Sequence, residues 1–319
     1  MAAMRGDPAA FISRVQRPAD FDAFWADTLA RVAELPLDIS VRERPEMSTP
    51  AIAVAEVEFT SWQGLRIASW YVRPAGRPAG SLPALLLTPG YISEPTVPKD
   101  WADRGYAAFS LATRGKLRSN DSFNPGFPGL LTHNVVDRET YSYRGMYVDV
   151  ARAVDAILAL SEVDGLRIGV HGGSQGGALA LVAAALRPDA ILASVPGVPF
   201  LCCFLEAAEL SVSWPYREIT DYLRAHPYRR EAMETTLAYF DLYNFAPLVR
   251  ASVLMNVGLV DDVCPPEAAY ATFARLAGPK ELDAFEECGH DGGSYFQAPK
   301  VEAFLARHLR PSPVVRPRQ

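Results

Sequence analysis

The 319 residues are 49% hydrophobic and 21% charged, with a formal net charge of −6, the balance of a globular chain with a sizeable core. No cluster of Lys and Arg stands out, which argues against a nucleic-acid or anionic-membrane surface. No stretch is long and apolar enough to span a bilayer, since the best candidate, residues 178–186, stops at Arg187-Pro188.

The first residues lack the apolar run of a signal peptide, so the cytoplasm is the expected compartment. The first strong pattern covers residues 18–35, where Phe21, Phe24, Trp25, Leu29, Val32 and Leu35 recur at helical spacing. Acidic residues lie between them, and an amphipathic helix is predicted. Two strand-like runs follow at 51–60 and 65–72, joined by Ser-Trp-Gln-Gly. Their β-branched and aromatic content and the glycine turn predict a hairpin.

From residue 82 the rhythm changes. Short apolar runs at 84–88, 107–112, 167–171, 191–195, 253–257 and 282–286 read as buried parallel strands. Helical stretches at 99–104, 147–160, 177–186 and 266–276 separate most of them. This alternation predicts an α/β fold with a mostly parallel central sheet and helices on both faces. Residues 200–247 break the alternation and are rich in aromatics and helix formers, predicting a helical insertion between late strands. The tail, 311–319, is expected to lack regular structure. With no internal repeat, residues 1–319 read as a single domain.

Gly172-Gly173-Ser174-Gln175-Gly176 fits G-x-S-x-G, with a strand predicted before it and a helix after it. Strand, sharp turn and helix make the nucleophile elbow of the α/β-hydrolases, in which small neighbours let the serine oxygen project above the sheet. A glycine-rich turn without chemistry is the simpler alternative. A serine hydroxyl needs a base within reach and a group to orient that base. Five histidines are available. His171 sits on the strand before the elbow and reads as a packing residue; His308 falls in the C-terminal helix. His226 lies in the insertion, and His133 in a loop without an evident partner. His290 follows the last predicted strand in Cys-Gly-His-Asp-Gly-Gly, where an α/β-hydrolase carries its base.

Asp261 and Asp262 follow the strand at 253–257. The chain order Ser, Asp, His is that of the α/β-hydrolases, not of the chymotrypsin or subtilisin types. Side chains of adjacent residues tend to diverge, so only one of the two is expected to reach His290. Asp262 has a ready alternative as cap of the helix starting near Pro265 and Pro266. Pro89-Gly90-Tyr91 follows the strand at 84–88, so the backbone N–H groups of Tyr91 and Gln175 are the candidate oxyanion donors. Cys202, Cys203, Cys264 and Cys288 show no metal-ligand spacing and read as free thiols.

The chain also resembles carbohydrate esterase family 7, the acetyl xylan esterase and cephalosporin C deacetylase group. The likeness begins at Arg17-Pro-Ala-Asp-Phe-Asp-Ala-Phe-Trp and continues through Pro128-Gly-Leu-Leu-Thr, Asp137-Arg-Glu-Thr-Tyr and Tyr143-Arg-Gly. Gly173-Ser-Gln-Gly-Gly, Val198-Pro-Phe-Leu-Cys and Pro215-Tyr-Arg-Glu-Ile-Thr follow. Tyr239-Phe-Asp, Gly258-Leu-Val-Asp-Asp-Val-Cys-Pro-Pro and Gly278-Pro-Lys-Glu complete it.

The resemblance implies removal of acetyl groups from oxygen esters of small sugars and related compounds, without cofactor; no cluster of metal ligands is evident in the sequence. It implies a homo-oligomer, commonly a hexamer. It places nucleophile, acid and base on Ser174, Asp261 and His290, and oxyanion donors on Tyr91 and Gln175. Pro215 would lie beside the acyl pocket, where Tyr91, Phe200 and Trp214 would crowd the carbonyl. Three positions depart from the family pattern. Its Arg-Gly-Gln is here Arg114-Gly115-Lys116, its His-Glu is His290-Asp291, and an acidic residue is replaced by Gly197. Competing readings are another acyl transfer on the same scaffold, such as a lactonase or biosynthetic acyltransferase, and a non-catalytic binding protein.

Overall fold

A computed structural model describes residues 6–119, 123–312 and 314. The first part of the chain forms α1 (Phe21–Ala33), β1 (Ser40–Glu43), β2 (Ile52–Thr60), β3 (Arg66–Pro74), β4 (Leu82–Leu87), α2 (Lys99–Asp103) and β5 (Ala107–Ala112). Next come α3 (Ser142–Leu158), β6 (Val163–Gly173), α4 (Gln175–Leu186) and β7 (Ile191–Gly197). Between β7 and β8 (Ser252–Gly258) lie α5 (Phe204–Leu210), α6 (Arg217–Ala225), α7 (Arg230–Leu237) and α8 (Leu242–Phe245). The chain closes with α9 (Pro266–Ala274), β9 (Lys280–Phe285) and α10 (Ser294–Leu309).

Among the described residues the strands form a nine-stranded sheet in the order β1-β2-β3-β5-β4-β6-β7-β8-β9. β1, β2, β3 and β5 pair antiparallel in succession. Every pairing from β5 through β4, β6, β7 and β8 to β9 is parallel. The fold is therefore α/β with a mixed, mostly parallel sheet. On one face α2 and α10 cover Leu85, Tyr106, Val195 and Leu254 with Phe304, Leu305 and Leu309. On the other, α3, α4 and α9 pack with α1 and the helices between β7 and β8.

The periodicities explain most of these elements. Phe21, Phe24, Trp25 and Val32 are the buried stripe of α1, and Trp25 Nε1 donates to the Tyr239 carbonyl at 2.9 Å, tying α1 to the helical insertion. All of β5 is buried, as a strand covered on both faces must be. In α4 every side chain is buried, and its alanines let the helix press closely against the sheet.

Two differences from the sequence pattern have physical causes. β1 was not expected, because its four residues are all exposed and it is held at the sheet edge by backbone pairing to β2. Helix α3 begins at Ser142 rather than 147, because its first turn is buried all round and carries no amphipathic signal. Of the tail at 311–319, only Pro311, Ser312 and Val314 fall within the described residues. Val314 donates its N–H to Asp103 O at 3.0 Å and packs against a small cluster with Ile52, Val54, Val72 and Ala102.

Candidate active site

Parallel strands present their C-terminal ends to one edge of the sheet, where a loop sequence can gather side chains from distant positions. Ser174 follows β6 directly, Asp261 lies just beyond β8, His290 beyond β9 and Tyr91 beyond β4.

Ser174 has φ 58° and ψ −121°, a conformation that an L residue adopts only under constraint. The turn is held by Ser174 N–H donating to Gly197 O at 2.9 Å and by Phe200 N–H donating to Ser174 O at 3.1 Å. Gly176 is needed for packing: a Cβ there would lie 2.3 Å from the Thr88 carbonyl oxygen. Burial holds the neighbouring Cys264 thiol well above its usual pKa, so it stays protonated.

Asp261 is buried and its carboxylate is fully engaged. Oδ1 accepts the N–H groups of Val263 at 2.8 Å and Cys264 at 2.9 Å, and Oδ2 pairs with His290 Nδ1 at 2.9 Å. An ionised carboxylate can only accept, so the imidazole proton sits on Nδ1 and Nε2 is left as an acceptor. The loops bearing Asp261 and His290 are stitched together by Leu259 N–H to Phe285 O at 2.9 Å and Val260 N–H to Cys288 O at 3.1 Å. Asn256 on β8 adds a bond from Nδ2 to Gly292 O at 2.6 Å. Asp291 folds back on its own loop and accepts Gly289 N–H at 3.0 Å, so this departure from the family pattern rigidifies the turn bearing His290.

The expected capping role of Asp262 is not what the structure contains. Helix α9 has Pro265 at its N-cap and no side-chain cap bond. Asp262 is exposed and points toward the loop before α6, accepting from Ser213 Oγ at 3.2 Å. The turn ahead of α9 is instead closed by Asp261, whose Oδ1 takes the two backbone N–H groups that a capping aspartate would otherwise serve.

The backbone N–H groups of Tyr91 and Gln175 make no hydrogen bond with another protein group among the described residues. Gln175 is the first residue of α4, so its N–H lies at the positive end of the helix dipole. Their side chains are fixed from below. Tyr143 Oη donates to Gln175 Oε1 at 2.8 Å, and Tyr91 Oη donates to Glu218 Oε1 at 2.6 Å. Glu218 Oε2 accepts Gly129 N–H at 2.9 Å, and Leu131 N–H donates to Tyr91 Oη at 2.8 Å. Burial raises the Glu218 carboxyl above its usual pKa. This network gives the Pro128-Gly-Leu-Leu segment a structural purpose.

The predicted pocket residues gather near this network. Tyr91 stands edge-on to Phe200 at 6.0 Å and to Phe127 at 5.4 Å, and Phe127 contacts Trp214 at 5.7 Å. Phe200 and Pro215 are buried, while Trp214 is exposed at the rim. A cleft of about 160 Å³ beside them is lined by Tyr91, Ile92, Glu94, Lys116 and Phe127, among others. A separate cavity of about 500 Å³, between residues 14–18 and helices α5 and α7, includes none of Ser174, Asp261 or His290.

The other histidines are engaged elsewhere. His171 Nδ1 pairs with Val195 O at 3.0 Å, and burial lowers its pKa. His133 stands against Phe123, His226 against Tyr222, and His308 against Phe304. All four cysteines are free thiols. Among the described residues no helix is long and apolar enough to cross a membrane.

Sequence reasoning gave no role to Glu218, Tyr143 or Asn256. Their partners lie far away in the chain, and no local spacing marks them. Lys116 was marked only as a departure from a pattern.

Comparison with known proteins places the chain. An acetyl xylan esterase from Paenibacillus sp. R4 superposes with a TM-score of 0.88 at 34% identity, covering 95% of this chain and 98% of that one. Acetyl xylan esterase 1 from Thermoanaerobacterium sp. JW/SL YS485 has the same TM-score at 28% identity, covering 96% and 99%. An acetyl esterase of Xylanibacter ruminicola is 29% identical over 280 residues, or 83% of this chain. This chain spans only 62% of that enzyme's length. The sequence profile of the acetyl xylan esterase (AXE1) family matches residues 9–308, and the chain belongs to that family.

Proposed function

We propose that this protein is a serine esterase that removes acetyl groups from oxygen esters of small sugars or related compounds. The observation that carries the reading is the buried Asp261 bonded to His290 Nδ1 at 2.9 Å, at the sheet edge where Ser174 sits in the constrained backbone of an elbow. Two structural relatives that are acetyl xylan esterases supply the acyl group and the class of alcohol.

In the proposed cycle His290 Nε2 takes the Ser174 proton as Oγ attacks the ester carbonyl. Asp261 keeps the imidazole in the required tautomer and stabilises its positive form. The N–H groups of Tyr91 and Gln175 receive the oxyanion, each worth about 3 kcal/mol in such sites. His290 then protonates the leaving alcohol, water attacks the acetyl-enzyme by the same proton relay, and acetate departs.

Substrate size is the first test. Phe200 and Pro215 are buried and Tyr91 is pinned by Glu218, so a longer acyl chain has little room to displace them. A methylene that fits gains about 0.8 kcal/mol, whereas one forced into a packed wall costs about 1–3 kcal/mol. The expected result across nitrophenyl esters is a kcat/KM that falls about 10- to 100-fold from acetyl to butyryl. A flat or rising profile would point to a lipase-like site instead.

The family resemblance also leads us to propose a homo-oligomer, a hexamer in its common form. Light scattering should report six chain masses at working concentration; a monomer there would contradict the assembly.

A further inference from the structure

We propose that Lys116 is a positioning residue for the oxyanion hole, acting through the peptide group between Gly90 and Tyr91. The inference rests on the esterase reading above and assigns a role to a position where the family pattern has glutamine.

Lys116 Nζ donates to Gly90 O at 2.8 Å and to Tyr91 O at 2.6 Å. Gly90 O belongs to the same amide as the Tyr91 N–H, the candidate oxyanion donor. A cation on that carbonyl draws electron density toward oxygen and makes the N–H at the other end of the amide a stronger donor. It also fixes the plane of the amide, and with it the direction in which the N–H points.

The loop carrying Lys116 is itself anchored. Arg114 Nε and Nη2 bond the two oxygens of Asp149 on α3, each at 2.9 Å, and Arg114 N–H adds a third bond at 3.0 Å. Ser61 Oγ donates to the same carboxylate at 2.6 Å. Both partners of this ion pair are buried, so the turn at 114–116 is held against α3.

Lys116 is almost wholly buried, and burial lowers its ammonium to a pKa of about 8, with Glu94 pulling the other way. Glu94 is the acidic residue in the adjoining cleft, whose other described residues carry no carboxylate. On its own loop Arg114 is paired with Asp149 and Arg118 with Glu56. From α6, Glu218 is engaged by the Tyr91 hydroxyl. Below pH 8 the ammonium polarises the amide; as pH rises through its pKa the charge is lost and the donor weakens.

Kinetics as a function of pH test this with acetyl nitrophenyl ester as the probe. In the wild type kcat should decline above about pH 8, with KM little changed, as expected for an interaction made in the transition state. Lys116→Gln should lower the plateau kcat about 10-fold, part of the 10²–10³ that an oxyanion donor is worth, and should lack the alkaline decline. Lys116→Arg keeps the charge, so its alkaline limb should also disappear within the enzyme's stable range. A Lys116→Gln enzyme with wild-type kcat and an unmoved alkaline limb would overturn the proposal, as would a Lys116→Arg enzyme that keeps the limb. Absence of hydrolysis by the wild-type chain would sink the esterase reading, and this inference with it.

Discussion

Ser174→Ala is expected to reduce kcat for acetyl ester hydrolysis on the order of 10⁶-fold, the loss typical of removing the nucleophile of an interdependent triad. Residual rate would come from the two N–H groups proposed to receive the oxyanion and from binding alone. The fold should survive the change. The elbow's bonds use the Ser174 backbone N–H and carbonyl, and α4 takes no side-chain cap from the serine. The neighbouring Cys264 thiol is buried and stays so. The constrained φ of 58° would remain and weigh on alanine about as on serine. Circular dichroism and melting temperature close to wild type, with activity gone, are the paired observations. Turnover undiminished in a folded variant would remove the serine mechanism.

The second large effect separates two neighbouring carboxylates. Asp261→Asn should lower kcat on the order of 10⁴-fold, because the imidazole is driven into the wrong tautomer. Two backbone N–H groups, of Val263 and Cys264, hold one oxygen of Asp261. Asparagine would keep its carbonyl oxygen there and turn its amide nitrogen toward His290 Nδ1. A donor would then face a donor unless the imidazole moved its proton to Nε2, where it could no longer act as base. Asp262→Asn touches an exposed side chain with one long bond to Ser213, so a surface-level change below about 0.5 kcal/mol is expected and kcat close to wild type. If Asp262→Asn is the inactive variant, the assignment of the acid is wrong.

Which parts of this molecule were legible in the sequence follows from where the controlling interactions lie. The hairpin of β2 and β3, the buried run of β5 and the helix after Ser174 are local patterns, and the α/β class follows from their alternation. The loops bearing Ser174, Asp261 and His290 were readable because parallel strands deliver their ends to one edge whatever the packing between them. Edge strand β1 was not readable, since four exposed residues leave no periodic trace. The cap assigned to Asp262 failed because two adjacent aspartates compete for the same turn, and the buried one closes it. Glu218 and Tyr143 act on Tyr91 and Gln175 across the fold, which no spacing in the chain announces. Lys116 is the instructive middle case. It stood out only as a mismatch, and its two carbonyl partners give the mismatch a physical meaning.

The central claim is that Ser174, deprotonated by His290, attacks an ester carbonyl. Covalent trapping tests it most directly. The protein would be treated with nitrophenyl diethyl phosphate, a small ester that phosphorylates activated serines, and the adduct located by peptide mass spectrometry. The account predicts one adduct per chain, on the peptide containing Ser174, forming in step with loss of acetyl esterase activity and absent from His290→Ala. Complete inactivation with Ser174 unmodified, or an adduct on another residue tracking the loss, would contradict it.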